Sequence, residues 1–85
     1  MRKLFTTELT SDELREIADE HGADYENTFF YGPRVVFWND RKVADAHAKV
    51  KLYKSGTFTL KGEFYPEEID FLIKTLKILK KELVS

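Results

Sequence analysis

Between Val50 and Leu60 apolar and polar residues alternate on either side of a Lys54-Ser55-Gly56 break, which predicts two antiparallel strands joined by a tight turn. Gly56 suits the left-handed position that closes a three-residue loop, and this pairs Tyr53 with Thr57, Leu52 with Phe58, Lys51 with Thr59 and Val50 with Leu60. Every apolar pair then falls on one face, while Lys49, Lys51, Tyr53, Thr57, Thr59 and Lys61 fall on the other. A two-residue Ser55-Gly56 loop would set Leu52 beside Thr59 and mix the faces, so the pattern selects the longer loop.

Elsewhere the period is helical. Leu14, Ile17, Ala18 and His21 recur at helical spacing, with Asp12, Glu13, Glu16, Asp19 and Glu20 left for a solvated face. Thr10 with Glu13 forms a capping box, Leu9 with Leu14 has the spacing of a hydrophobic staple, and Gly22 ends the helix. A second helix opens at Pro66, carries Glu67 and Glu68 at its positive end and Lys80 and Lys81 near its negative end, and runs almost to the C-terminus. Its apolar stripe, Ile69, Leu72, Ile73, Leu76, Leu79 and Leu83, is expected to pack on a sheet. Phe71 and Ile78 lie outside that stripe: they either reach the first helix at the edge of a broader buried face, the reading favoured here, or form a self-association seam.

The segment NTFFYGPRVVFWND is rich in aromatic and β-branched residues, with Gly32-Pro33 as its only turn signal, and predicts strands over 26–31 and 34–39. If Gly32 and Pro33 alone form the loop, Phe30, Val35 and Phe37 share one side, and Phe29, Tyr31, Arg34, Val36 and Trp38 the other; a loop longer by one residue would invert one strand. Lys3 to Leu9 alternates loosely and reads as a further strand with Phe5 and Leu9 inward, whereas Asp40 to His47 could extend either neighbouring strand. The expected fold is therefore α+β, a single domain over 1–85: a curved antiparallel sheet of about five strands with two helices on one face, in the order β-α-β-β-β-β-α. The opposite sheet face would be open to solvent or to a partner.

Composition adds mostly exclusions. No cysteine is present, so disulfides, thiolate metal sites and thiol nucleophiles are ruled out. His21 and His47 lack metal-ligand spacing, no phosphate-cradling glycine loop or paired carboxylates are evident, and neither an enzyme nor a bound cofactor or metal is expected. The basic N-terminus is followed by no continuous apolar run, which points away from a signal peptide or membrane span and towards a cytoplasmic protein. Net charge is −1, but its distribution is uneven: acids crowd into Glu8 to Glu26, whereas Ala48 to Gly62 holds Lys49, Lys51, Lys54 and Lys61 with no acid.

The element order, with VKLYKSGTFTLKG leading into a long amphipathic helix, resembles one repeat of the TATA-box-binding protein. TTELTSDELREIA and PRVVFW also match that repeat in outline. The resemblance implies that the sheet face away from the helices is a nucleic-acid face, with Tyr53 at the position of an aromatic wedge, Lys51 and Thr59 beside it, and Lys61 in place of a threonine. Similar domains hold the hybrid at the N-terminus of a bacterial ribonuclease that cleaves RNA·DNA hybrids. This chain has one repeat instead of two and lacks the base-contacting asparagine of the first strand, which argues against sequence-specific TATA reading. One repeat could rebuild the two-repeat saddle as a homodimer through its first strands, with Phe71 and Ile78 as an alternative contact.

Lysine neutralises phosphates, tyrosine stacks or wedges, and threonine hydrogen-bonds to sugar or phosphate, so Lys49, Lys51, Tyr53, Lys54, Thr57, Thr59 and Lys61 suit DNA, RNA or a hybrid. An ordinary solvated sheet face would also carry lysine and threonine, but Arg34 and Trp38, with Phe29 or Tyr31, tilt the reading towards an interaction surface. The rival expectation is a protein-interaction module using the same face.

Overall fold

A computed structural model describes residues 8–30, 32–39 and 48–83 of the chain. The first helix, α1 (Ser11–His21), begins as its sequence requires: Thr10 accepts from the Glu13 amide at 3.1 Å, and Glu13 Oε1 accepts from the Thr10 amide at 2.8 Å. Gly22 closes it in the left-handed conformation, and Leu9 and Leu14 are both buried in the core.

Among the described residues four antiparallel strands follow in sequence order, β1 (Asp24–Thr28), β2 (Gly32–Trp38), β3 (Lys49–Tyr53) and β4 (Phe58–Lys61), each paired with the next. The β3–β4 register sets Leu52 opposite Phe58, Lys51 opposite Thr59 and Val50 opposite Leu60, and the Tyr53 amide donates to the Thr57 carbonyl at 2.9 Å. The three-residue turn expected at Lys54-Ser55-Gly56 is therefore the one formed.

The β1–β2 hairpin differs from its expectation. Thr28 pairs with Gly32 and Tyr25 with Val35, so the loop spans 29–31 and Gly32 takes a left-handed φ of 70° at its exit. Pro33 sits inside β2, outside the pairing with β3, which starts at Arg34. A three-residue loop in place of a two-residue one inverts β1 relative to β2: Phe30 does not face Val35, and Phe29 and Phe30 are turn residues. The sides expected for Val35 and Phe37, and for Arg34, Val36 and Trp38, hold, because β2 keeps its own alternation.

Both helices lie on one face of the sheet. Leu14, Ile17 and Ala18 of α1 and Leu79 of α2 share a core with Val35, Phe37, Val50 and Leu52. A 3-10 turn at Pro66–Glu68 leads into α2 (Ile69–Leu83), and the buried Glu68 carboxylate accepts from the Tyr65 amide at 3.0 Å. The buried line of α2 is not the expected apolar stripe. It runs through Thr75, Leu79 and Glu82 with Leu72, Phe71 and Ile78 packed beside it, whereas Ile69, Ile73 and Leu76 stay exposed. The helix is thus rolled by roughly a quarter turn from the hydropathy stripe. On the buried side Glu82, 7% exposed, accepts a 3.0 Å hydrogen bond from His21 at the end of α1 and so joins the two helices. Phe71 and Ile78 accordingly belong to the broad buried face.

The strand expected over Lys3 to Leu9 lies, except for Glu8 and Leu9, outside the described residues, as does the whole of Asp40 to His47. Leu9 itself donates its amide to the Lys54 carbonyl at 2.8 Å and so ties the entry to α1 to the β3–β4 turn.

Candidate nucleic-acid interface

The sheet face away from the helices is built by simple alternation. Arg34, Val36 and Trp38 of β2 stand in register with Tyr53, Lys51 and Lys49 of β3, and Lys51 and Lys49 in turn with Thr59 and Lys61 of β4. All of the strand residues singled out from sequence as nucleic-acid contacts therefore share this face. Lys54 and Thr57 lie instead in and beside the exposed β3–β4 turn, where the Thr57 and Ser55 hydroxyls hydrogen-bond at 2.8 Å.

The lysines are crowded. Lys49 and Lys61 are direct cross-strand partners, and Lys51 stands two residues from Lys49 on the same side of β3. Like charges directly opposite each other weaken a sheet, so stability alone does not favour this arrangement. The Lys51 amine is held below its usual range, first by burial among its neighbours, then by the positive charge of Arg34, with Lys49 and Lys61 adding smaller contributions and Tyr53 opposing them. Lys49 places its ammonium 4.9 Å from the centre of the Trp38 ring, a cation–π contact that also covers the ring. Tyr53 Oη and Thr59 Oγ1 lie 3.2 Å apart and fix the phenol across the strands. A shallow depression of about 180 Å³, floored by Val36, opens between Glu26, Arg34, Trp38, Lys49 and Lys51. Val36 is buried by these side chains and takes no part in the core on the other face.

The inversion of β1 brings acid to this face. Glu26 pairs with Arg34 in register, and both Nε and Nη2 of the guanidinium lie 2.9 Å from Glu26 Oε1. Asp24, opposite Val36, shares the side. The face is therefore graded, acidic and neutralised at β1 and basic along β3 and β4. Arg34 belongs to an ion pair within the fold, an arrangement that the sequence signals only through the register.

The exposed aromatic surface expected on the sheet lies at the β1–β2 turn. Phe29 and Phe30 are 96% and 85% exposed, and their rings meet edge to face with centroids 5.2 Å apart. Trp38 and Tyr53 are only partly exposed. In a meander both hairpin turns project from the same end of the sheet, so the phenylalanine pair and the Lys54 turn flank the same edge of the open face.

On the helix side, an open cleft of about 320 Å³ separates the ends of α1 and β2 from α2 and is lined by His21, Phe37, Asn39, Asp70, Lys74 and Thr75, among others. Glu20, His21 and Glu82 form the one group of neighbouring potential metal ligands among the described residues, with His21 engaged to Glu82. Among the described residues no helix is long and apolar enough to cross a membrane. Comparison with protein-family models, with curated proteins and with solved structures gave no match. The likeness to a TATA-box-binding-protein repeat consequently rests on the hairpin residues and the element order alone.

Proposed function

We propose that this chain is a non-enzymatic nucleic-acid-binding module that holds the phosphate backbone of DNA, RNA or a hybrid against the open face of β3 and β4. The observation that carries the reading is the packing of Lys49, Lys51 and Lys61 on adjacent strands in direct cross-strand and next-nearest positions, with Lys54 at the nearby turn. A polyanion laid along those strands relieves the mutual repulsion of the lysines and gains charge-assisted hydrogen bonds. Tyr53 and the exposed Phe29–Phe30 pair offer stacking surfaces that tolerate any base, consistent with binding that does not read sequence. The rebuilt two-repeat saddle and a cytoplasmic setting remain part of this proposal.

A second reading, a protein-interaction module on the same face, is favoured by one feature: Asp24 and Glu26 make part of the face acidic. Fluorescence anisotropy with duplex DNA, single-stranded RNA and an RNA·DNA hybrid at low salt separates the two. The nucleic-acid reading expects binding whose logarithmic salt slope reflects about three phosphate contacts, near −2 to −3. Failure of all three ligands to bind below millimolar concentration would leave the protein-interaction reading in its place.

A further inference from the structure

The roll of α2 leaves an apolar strip with no cover among the described residues. Ile69, Ile73 and Leu76 follow one another at steps of four and three residues and are 53%, 47% and 39% exposed. Residues so spaced form one narrow seam along a helix, of the kind that packs against another helix. The seam lies on the flank of α2 opposite to Phe71, Lys74 and Ile78, which line the cleft towards α1. On β4 the core-side residues Phe58 and Leu60 are likewise 44% and 51% exposed. The three helix residues make one continuous apolar seam, unlike the isolated exposed leucines that any soluble protein carries.

The charges beside the seam identify its occupant. Asp70 and Lys77, both exposed and seven residues apart, border its solvent side, and its other side is the edge of the partly buried Leu72 and the buried Leu79. A second α2 laid alongside in parallel would set the Asp70 and Lys77 flank against the partner's opposite flank, whose Leu72 and Leu79 positions are packed into their own core. If it lay antiparallel on a twofold axis, with Ile73 opposite the partner's Leu76, each Asp70 would meet the partner's Lys77. Both copies would form this pair, with Ile73 and Leu76 packed across the axis and Ile69 lying along the aliphatic stem of the partner's Lys80. The geometry points to a twofold homodimer of this chain in which antiparallel α2 helices pack through Ile69, Ile73 and Leu76 and are locked in register by two Asp70–Lys77 pairs.

The dimer buries the helix side and leaves the open sheet face of both copies free. It therefore stands or falls separately from the nucleic-acid reading, which concerns the opposite face. Sedimentation equilibrium of the full chain up to about 100 μM should show a species of twice the 10.0 kDa chain mass. Ile73→Glu should abolish it, and because Ile73 is half exposed, circular dichroism should show the fold retained. Lys77→Asp and Asp70→Lys should each weaken association about tenfold or more by opposing like charges, and the double variant Asp70→Lys with Lys77→Asp should restore it. A monomer throughout that range would overturn the inference, as would a dimer indifferent to Ile73→Glu or to the charge exchange. Dimerisation that appears only after removal of residues 1–7 would assign the seam to the chain's own N-terminal segment and overturn it equally.

Discussion

The two hairpins of this sheet are close relatives in geometry and opposites in legibility. Both turn through three residues, and each has a glycine of positive φ at the end of the turn, Gly56 in one and Gly32 in the other. In β3–β4 the glycine lies within a polar break flanked by alternating strands, so loop length and facing can be checked against each other. In β1–β2 the loop begins with Phe29 and Phe30, residues whose intrinsic preference is for strands, and the glycine follows the loop instead of lying inside it. A strand-forming pair had been displaced into a turn, and nothing in hydropathy marks it. The lesson is that register is secure where two constraints agree and fragile where one glycine is asked to supply both loop length and position.

The largest expected difference lies across the β3 strand itself. Leu52 is fully buried under both helices, whereas its neighbour Lys51 faces the open side. Leu52→Glu should cost about 4 kcal/mol or more and unfold the protein, because an unpaired carboxylate replaces core contacts. Lys51→Glu should leave the far-ultraviolet circular dichroism unchanged and the thermal midpoint unchanged or slightly raised, since it removes a charge that Arg34, Lys49 and Lys61 repel. Equal destabilisation by the two would mean that the faces of β3 have been assigned the wrong way round.

A smaller contrast separates the glycines that follow the hairpins' turns and strands. Gly62, at the exit of β4, has a φ of 84°, and a Cβ there would stand 2.9 Å from the Ala48 Cα. Gly62→Ala should therefore cost about 2–4 kcal/mol, the left-handed penalty plus the displacement of a backbone. Gly32→Ala meets no atom within 4 Å and should cost only about 1–2 kcal/mol, for its φ alone. Urea denaturation of both variants checks the order, and equal costs would remove the Ala48 contact from the account.

The ion pair that distinguishes the β1 side gives a subtler test. Glu26→Gln releases Arg34 from its carboxylate, so nucleic-acid affinity should rise by about twofold to tenfold and the salt slope should steepen by about one unit. The stability change should stay within about 1 kcal/mol, since the pair is partly solvated. If the affinity falls instead, the acidic side of the face contributes to recognition and a protein partner becomes the better reading.

The smallest effect is a titration. Burial and the charges of Arg34, Lys49 and Lys61 hold the Lys51 amine below its unfolded value of 10.5, so between the two values the unfolded chain binds more protons than the folded one. The repulsion is fully present below the folded value, and stability should rise as pH increases through it towards 10.5. Heteronuclear NMR of the lysine side chains should show Lys51 losing its proton early, and bound nucleic acid should move that titration upwards. An unchanged Lys51 titration in the presence of saturating nucleic acid would place the phosphates elsewhere.

How much of this was visible in the chain follows from the kind of signal each element carries. The capping box of Thr10 and Glu13 and the β3–β4 alternation are local, each decided within a dozen residues, and both formed as read. The orientation of α2 was not local. Hydropathy favours Ile69, Ile73 and Leu76 as core residues, but Thr75 and Glu82 enter the interior instead, and the hydrogen bond of Glu82 joins it to His21, 61 residues away. The acid on the open face was hidden for a similar reason: Glu26 reaches Arg34 only once the loop length is known. The basic hairpin could be read from sequence because its lysines and its facing lie in a single contiguous stretch.

Whether the crowded lysines of β3 and β4 hold phosphates is decided by a salt titration of one variant. Anisotropy of the intact chain and of Lys51→Glu, with duplex DNA, RNA and hybrid over a range of salt from about 20 to 200 mM, gives affinity and slope together. At least one ligand should bind the intact chain with a slope near −2 to −3, and Lys51→Glu should bind more weakly with a shallower slope while folding normally. Binding that is insensitive to salt, or unaffected by reversal of the Lys51 charge, would contradict it.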